Sequence, residues 1–443
     1  MSRSIRLPRL AEPEWSALLI VAAIALLPVG GAAEVPLGVA AVLGGVAVWR
    51  RRHELAAHQG LRLAVLLFAC YWLPALISAP DSVAAGKSWG NVRDLLRFLP
   101  FAAFATLVLR EDAPWPRIVQ AVAALVCLWL IDAWVQAFTG YSLAGAAEKE
   151  RLSGIFGAGN LKLGPVLAVL SPFVFVAARD AFGRRGLVLA FLFMVVPVLL
   201  AGSRAAWLMF ALTSLATIWR ETRTPLRFAG WSAAACAAGF VIALVALHDS
   251  RAFSARIDRS LLALNGSEQA VDEASAGRLR IWGTAARMIA DHPINGVGVR
   301  AFRFAYPHYA LAHDAFVAAD GDEGASHAHQ IVLEILSETG VIGLVFWLAG
   351  CVLALRAWWR ASALARERAF APALALAAMT FPLNTHLAFY SAWWGLLFWW
   401  LLALFCAAVS SPVAASRQQM PVGRAAAVAT HEADGATKPE DGA

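Results

Sequence analysis

Several residues in this sequence have types and settings that could do chemistry. His329 lies in Ser326-His327-Ala328-His329-Gln330, where a polar stretch gives way to a long apolar one. With Ser326 as N-cap, His329 falls in the first turn of a helix, on one stripe with Leu333, Leu336, Gly340, Gly343 and Trp347. The positive end of that helix holds an imidazole neutral, which suits a proton acceptor near pH 7. A capping or packing histidine is the plainer alternative. The two glycines below it would let another helix or a lipid chain approach the backbone. Arg278 belongs to a segment from Ser275 to Pro293 that reads as one amphipathic helix, capped by Ser275 and stopped by the proline. At 100° per residue Arg278 shares a face with Trp282, Ala285 and Ile289, while Arg280 and Arg287 lie opposite and read as solvated charges. A guanidinium on an apolar face either snorkels to a bilayer surface or binds an anion, helped by free N–H groups at the helix start. Arg204 interrupts two apolar runs with almost no loop around it, a costly place for an arginine unless it is paired or faces water. His327, His329, Asp320, Asp322 and Glu323 include ligand types for a divalent ion, but histidines two apart point to opposite sides of a helix. No metal site is therefore expected. Asp132, Glu334 and Glu338 read as counter-ions for the arginines.

These groups must be positioned by a chain that is 60% apolar and only 15% charged over 443 residues. That composition excludes an ordinary soluble domain and indicates a polytopic all-α membrane protein. Eighteen tryptophans suit repeated passage through membrane–water interfaces. The formal charge of +7 is better explained by membrane orientation than by nucleic acid, so no nucleic-acid partner is expected. Cys70, Cys127, Cys236, Cys351 and Cys406 all sit inside apolar runs without a C-x-x-C pair, and read as buried free thiols.

A span needs about 20 mostly apolar residues. Twelve runs qualify approximately, at 15–30, 35–49, 61–79, 93–109, 118–138, 161–178, 187–202, 204–219, 229–247, 330–355, 370–386 and 391–409. With the N-terminus in the cytoplasm, the inner connections and tails carry 22 Lys and Arg, against 7 on the short outer connections. The predicted organisation is residues 1–247 with spans 1–9, a periplasmic loop domain at 248–329, spans 10–12 at 330–409, and a disordered cytoplasmic tail at 410–443. Both termini then lie inside, and Arg204, Arg278 and His329 share the outer face.

Four patterns in this order resemble a known group. His329-Gln330, nine residues, Gly340, two residues and Gly343 resemble the H-[NSQ]-x9-G-x-x-G pattern of the O-antigen ligase and polymerase superfamily. Arg204-x-x-x-Leu208 is similar to its R-x-x-x-L pattern, and Gly277-Arg278…Trp282…Asp291-His-Pro-Ile-Asn-Gly-Val-Gly298 to its signature before the histidine. Arg151-Leu-Ser-Gly-Ile-Phe-Gly-Ala-Gly-Asn160 resembles its earlier outer loop, with Gly159 where the family usually has proline. The resemblance covers about residues 150–345. It implies a metal-independent, cofactor-free glycosyltransferase of the GT-C kind in the bacterial inner membrane. Such an enzyme moves a glycan from undecaprenyl diphosphate with inversion at the periplasmic face. Arg204 and Arg278 would hold the diphosphate, with Arg151 a weaker third, and His329 would be the catalytic base; Lys87 could also reach the pocket. The single long loop before the histidine leans toward a ligase that attaches O-antigen to lipid A–core. A polymerase or a protein O-oligosaccharyltransferase of the same superfamily is the alternative. A flippase for lipid-linked glycan is the alternative of a different class, but it would place unusual charges at mid-membrane rather than along the outer rim.

Overall fold

The computed structural model describes residues 13–50, 52, 58–109, 114–146, 151–249, 254, 257–258, 261, 264, 266–385 and 388–410. The predicted tail beyond Ser410, the basic N-terminus and much of 250–265 lie outside these residues. The helices are α1 (Pro13–Ala25), α2 (Glu34–Arg50), α3 (Gln59–Ser78), α4 (Ala85–Leu95), α5 (Phe98–Val108), α6 (Pro114–Thr139), α7 (Leu163–Leu200), α8 (Arg204–Thr222) and α9 (Pro225–Asp249). After them come α10 (Glu268–Ala274), α11 (Arg278–Asp291), α12 (Phe302–Tyr309), α13 (Ile331–Arg360), α14 (Ala363–Met379) and α15 (Ala392–Val409). The strands among the described residues form one small antiparallel hairpin, Tyr141–Ser142 with Gly145–Ala146. Six of these helices are long and apolar enough to cross a membrane. The chain is an all-α, multi-pass membrane protein.

Helix α15 is apolar all round and therefore lies inside the bundle, with every residue from Trp394 to Ala408 buried. Trp399 sits among Phe68, Tyr71 and Phe98 at ring centroid distances of 5.5, 5.6 and 6.0 Å. The indole of the fully buried Trp400 donates to the Ile20 carbonyl at 2.8 Å, so its polar end is satisfied.

Two long helices are broken by glycines whose backbones only glycine readily adopts. At Gly183 (φ 62°, ψ −149°) α7 divides into two arms. The arms run back along each other, because Gly164 near the start of the first lies against Val198 and Ala201 at the end of the second. The expected runs at 161–178 and 187–202 are these two arms. Two other expectations shift. The run at 93–109 is divided between α4 and α5. The run expected at 370–386 is a helix seven residues earlier, since Ser362 caps it by accepting from Ala365 N and Pro382 disfavours helix just before itself.

The second break, at Gly340 (φ 65°, ψ −164°) in α13, builds the end of the bundle that carries the candidate residues. The loop Pro293–Gly298 inserts there. Val297 and Gly298 donate to the carbonyls of Ser337 and Glu338, and Val341 and Ile342 donate to those of Pro293 and Ile294, at 2.8–3.2 Å. The four helix groups orphaned by the break are thereby satisfied. A Cβ on Gly340 would collide with the Ile294 backbone, and one on Gly296 with Glu338 and Thr339. What the glycine pattern admits is this loop, not a second helix or a lipid chain. Beside it a separate small core forms from Ile281, Met288, Phe302 and Tyr306.

Candidate functional site

Three helix starts carry the candidate residues. Arg204 is the first residue of α8, whose N-cap Ser203 accepts from Ala206 N. Arg278 is the first residue of α11, with Gly277 at the N-cap. The predicted cap, Ser275, instead donates its hydroxyl to the Asp272 carbonyl at 2.8 Å. Ala276 and Gly277, at φ 61° and 76°, turn the chain tightly from α10 into α11. Helix α13 begins at Ile331, not after Ser326, because Gln330 caps it by accepting from Leu333 N at 2.6 Å. His329 therefore precedes the helix instead of sitting on its stripe, and holds a left-handed φ of 53°.

Contacts between these starts define the site. The Arg204 guanidinium donates to the carbonyl of Ala274, the last residue of α10 and four before Arg278. Arg278 is half-buried, and no carboxylate among the described residues pairs with it. Burial, and then the charge of Arg204, lower its guanidinium to about 10, so it is still a cation at neutral pH. Two cations held together away from water favour an anion between them, which three adjacent helix starts assist. Burial, and then the charge of Arg278, push the His329 imidazole down to about 4 against an opposing backbone hydrogen bond with Thr385. Its Nδ1 is buried and has no hydrogen-bond partner among the described residues. The ring is thus a neutral imidazole with one nitrogen available to take a proton.

Residues beyond the predicted ones set this geometry. One turn past Arg278, the Trp282 indole donates to the Ala328 carbonyl at 3.1 Å and so holds the peptide that precedes His329. The Gln330 amide donates to the Pro382 carbonyl at 3.0 Å, bringing the loop that carries Thr385 over the ring. Trp282 was legible as part of the signature, though not its bond; nothing in the sequence marks Thr385.

Several expectations are corrected. His327 does not face away from His329: their ring centroids are 3.9 Å apart, since neither residue is in a helix and the opposite-sides argument fails. Arg280 is exposed as expected, although it pairs with Asp272 at 2.9 Å. Arg287 is not a solvated charge, because it donates to the Tyr309 carbonyl at 2.7 Å and to Thr284 at 3.0 Å. Thr284 is itself fully buried. The buried acids serve backbone rather than arginine side chains. Glu338 accepts from Arg300 N, Glu334 from Phe389 N and Asp132 from Leu143 N, at 2.8, 2.8 and 2.7 Å. They fasten to the bundle three segments that lie outside its helices, at Leu143, Arg300 and Phe389.

Arg151 is half-buried at the rim. Leu152 N donates to the Leu200 carbonyl, four residues before Arg204, and Gln136 accepts from Ser153 N and Gly154 N at 2.9 and 2.8 Å. Lys87 is exposed in the first turn of α4. In the acidic turn Asp320 accepts from Asp322 N, and Glu323 pairs with Arg303 at 3.2 Å. No curated protein matches the chain. Residues 189–348, which contain Arg204, Arg278, His329 and the break in α13 but not Arg151, match the family model described as O-antigen ligase, a match that supports membership of the O-antigen ligase/polymerase family.

Proposed function

We propose that this protein is an inverting, metal-independent glycosyltransferase of the GT-C kind, with twelve spans and both termini in the cytoplasm of a bacterium. It takes O-antigen glycan from undecaprenyl diphosphate and joins it to a sugar hydroxyl of lipid A–core at the periplasmic face of the inner membrane. The observation that carries this reading is the half-buried Arg278 beside Arg204, next to the buried Nδ1 of His329, neither of them paired with a side chain among the described residues. Arg204 and Arg278 bind the diphosphate, and Arg151 supports them from the rim. The acceptor O–H gives its proton to His329 while its oxygen attacks the anomeric carbon. The bond from that carbon to the diphosphate oxygen breaks, and its electron pair leaves on undecaprenyl diphosphate. The guanidiniums neutralise the charge that develops there, so no divalent ion is required.

Transfer by the purified protein, with lipid-linked O-antigen and lipid A–core, tests this. His329→Ala is expected to lose about 10²–10⁴-fold while donor binding persists. Arg278→Lys is expected to lose about 10-fold or more, because a point charge cannot replace a bidentate fork on phosphate. Wild-type transfer should survive long incubation with EDTA, checked by metal analysis. Loss that magnesium or manganese restores would overturn the metal-free mechanism. A product lengthened on the lipid-linked glycan itself would make the protein a polymerase, one formed on serine or threonine a protein transferase. Lipid movement without a new glycosidic bond would identify a flippase.

A further inference from the structure

The start of α13 grips the connection between α14 and α15 at two points. Gln330 uses both ends of its carboxamide. The oxygen caps α13 by accepting from Leu333 N at 2.6 Å, and the nitrogen donates to the Pro382 carbonyl at 3.0 Å. One turn later the fully buried Glu334 accepts from Phe389 N at 2.8 Å. Tyr71 of α3 donates to the Phe389 carbonyl, also at 2.8 Å, so that peptide is held from both sides. Between the two grips lies Thr385, whose backbone is hydrogen-bonded to the His329 ring.

That bond decides which ring nitrogen carries the proton. It favours imidazolium, so the Thr385 group is the carbonyl and a ring N–H donates to it. Nδ1 has no hydrogen-bond partner among the described residues, which makes Nε2 the donor. A neutral imidazole with its proton on Nε2 has its lone pair on Nδ1. The basic nitrogen is thus set by a carbonyl, and the carbonyl by the residue that follows His329. A serine at this position would cap α13 but would not reach Pro382, and a glutamate would have no N–H to donate there.

We infer that Gln330 is a positioning residue which, through the Pro382–Thr385 backbone, holds His329 with its proton on Nε2 and Nδ1 as the basic nitrogen. The consequence for transfer rests on the function proposed above; the tautomer does not. When the acceptor O–H gives its proton to Nδ1, the ring becomes imidazolium and Nε2–H still donates to Thr385. The donor is then charged, so the bond strengthens as the proton moves and stabilises the transition state more than the ground state. Gln330 therefore acts on kcat more than on donor binding. Glu334 and Tyr71 keep the far end of the connection in place without it.

Two measurements on the full chain in detergent test this. The nitrogen-15 spectrum of histidine-labelled protein reads the tautomer without substrate, with His329 assigned by the signal that His329→Ala removes. Wild type is expected to show a bare Nδ1 and a protonated Nε2 at neutral pH. Gln330→Ser should shift that signal toward a mixture of tautomers, whereas Glu334→Gln, whose amide oxygen still accepts from Phe389 N, should keep it. In transfer kinetics Gln330→Ser should lower kcat about 5-fold, the loss of one hydrogen bond, with donor KM and melting temperature nearly unchanged. A protonated Nδ1 in the wild type would overturn the inference whatever the enzyme does. So would a Gln330→Ser protein with the wild-type signal and kcat, or one whose melting temperature falls along with kcat. A wild type that keeps the Nε2–H signal but forms no glycosidic bond would bear out the tautomer and overturn the proposed function instead.

Discussion

A non-glycine residue at φ 53° carries roughly 1–2 kcal/mol of backbone strain, and His329 is held there from both sides. Trp282 fixes the carbonyl before it, and Gln330 begins a helix after it. The same fixation keeps the ring in a dry setting beside Arg278, which has a consequence for pH. Both burial and the neighbouring cation disfavour imidazolium, so His329 is neutral above about pH 4 and becomes protonated only below it. The acid limb of kcat/KM for the donor, which reports the free enzyme, is therefore expected well below pH 6, and activity should be level from there to pH 8. With donor bound, the diphosphate's negative charge opposes Arg278 and favours imidazolium, so the acid limb of kcat should lie at higher pH than that of kcat/KM. A pH–rate profile for both parameters checks this. Coincident limbs near 6.5 would mean that the imidazole does not feel Arg278.

At the scale of elements, the parts of the sequence that behaved as independent helices were legible, and the parts that depended on one another were not. The apolar runs marked the helices because apolar periodicity and length are local properties. The wheel puts Arg278 on the inward side of α11, where it is half-buried, and the cost of an arginine inside apolar sequence marks Arg204, the first residue of α8. The wheel failed for Arg287, because Tyr309 and Thr284 give that side of α11 a protein neighbour instead of solvent. It failed for His327 and His329 because Gln330, a less usual cap than Ser326, starts the helix. The glycines of the histidine pattern suggested close approach, yet only the interlock of Pro293–Gly298 with the broken α13 shows what approaches. Gly340→Ala is accordingly expected to destabilise by about 1–3 kcal/mol from backbone strain alone, before the collision with Ile294 adds to it. Lower expression and a lower melting temperature in detergent would register this. Trp282→Phe should act differently. It keeps a ring in place and removes one hydrogen bond worth about 1 kcal/mol, so kcat should fall about 5-fold with melting nearly unchanged. If Trp282→Phe instead lowered melting as much as Gly340→Ala, the indole would be holding the fold and not the histidine.

For the whole molecule, the arrangement of charge along the bundle makes a claim about sidedness. Arg204, Arg278 and His329 gather at one end of α8, α11 and α13. Arg184, Arg220 and Arg227 mark the opposite end of α7, α8 and α9. Cytoplasmic connections retain Lys and Arg, so the second end is expected inside and the site outside. The folded-back arms of α7 are what make this consistent. If Leu163–Leu200 crossed the membrane once, Leu152 could not donate to Leu200, and Arg151 and Arg204 would lie on opposite sides. Single cysteines at two exposed positions test the arrangement, in a background whose five native cysteines are replaced by alanine. Thr224→Cys lies between α8 and α9, and Ala319→Cys lies between α12 and α13. In whole cells with a permeable outer membrane, a membrane-impermeant maleimide should label the cysteine at 319. It should reach the one at 224 only after the inner membrane is disrupted. The reverse pattern would put the arginines and His329 in the cytoplasm and overturn the periplasmic reaction proposed above. Labelling of both in intact cells would mean that α8, α9 and the segments between them and α13 do not carry the chain across as the charge distribution requires.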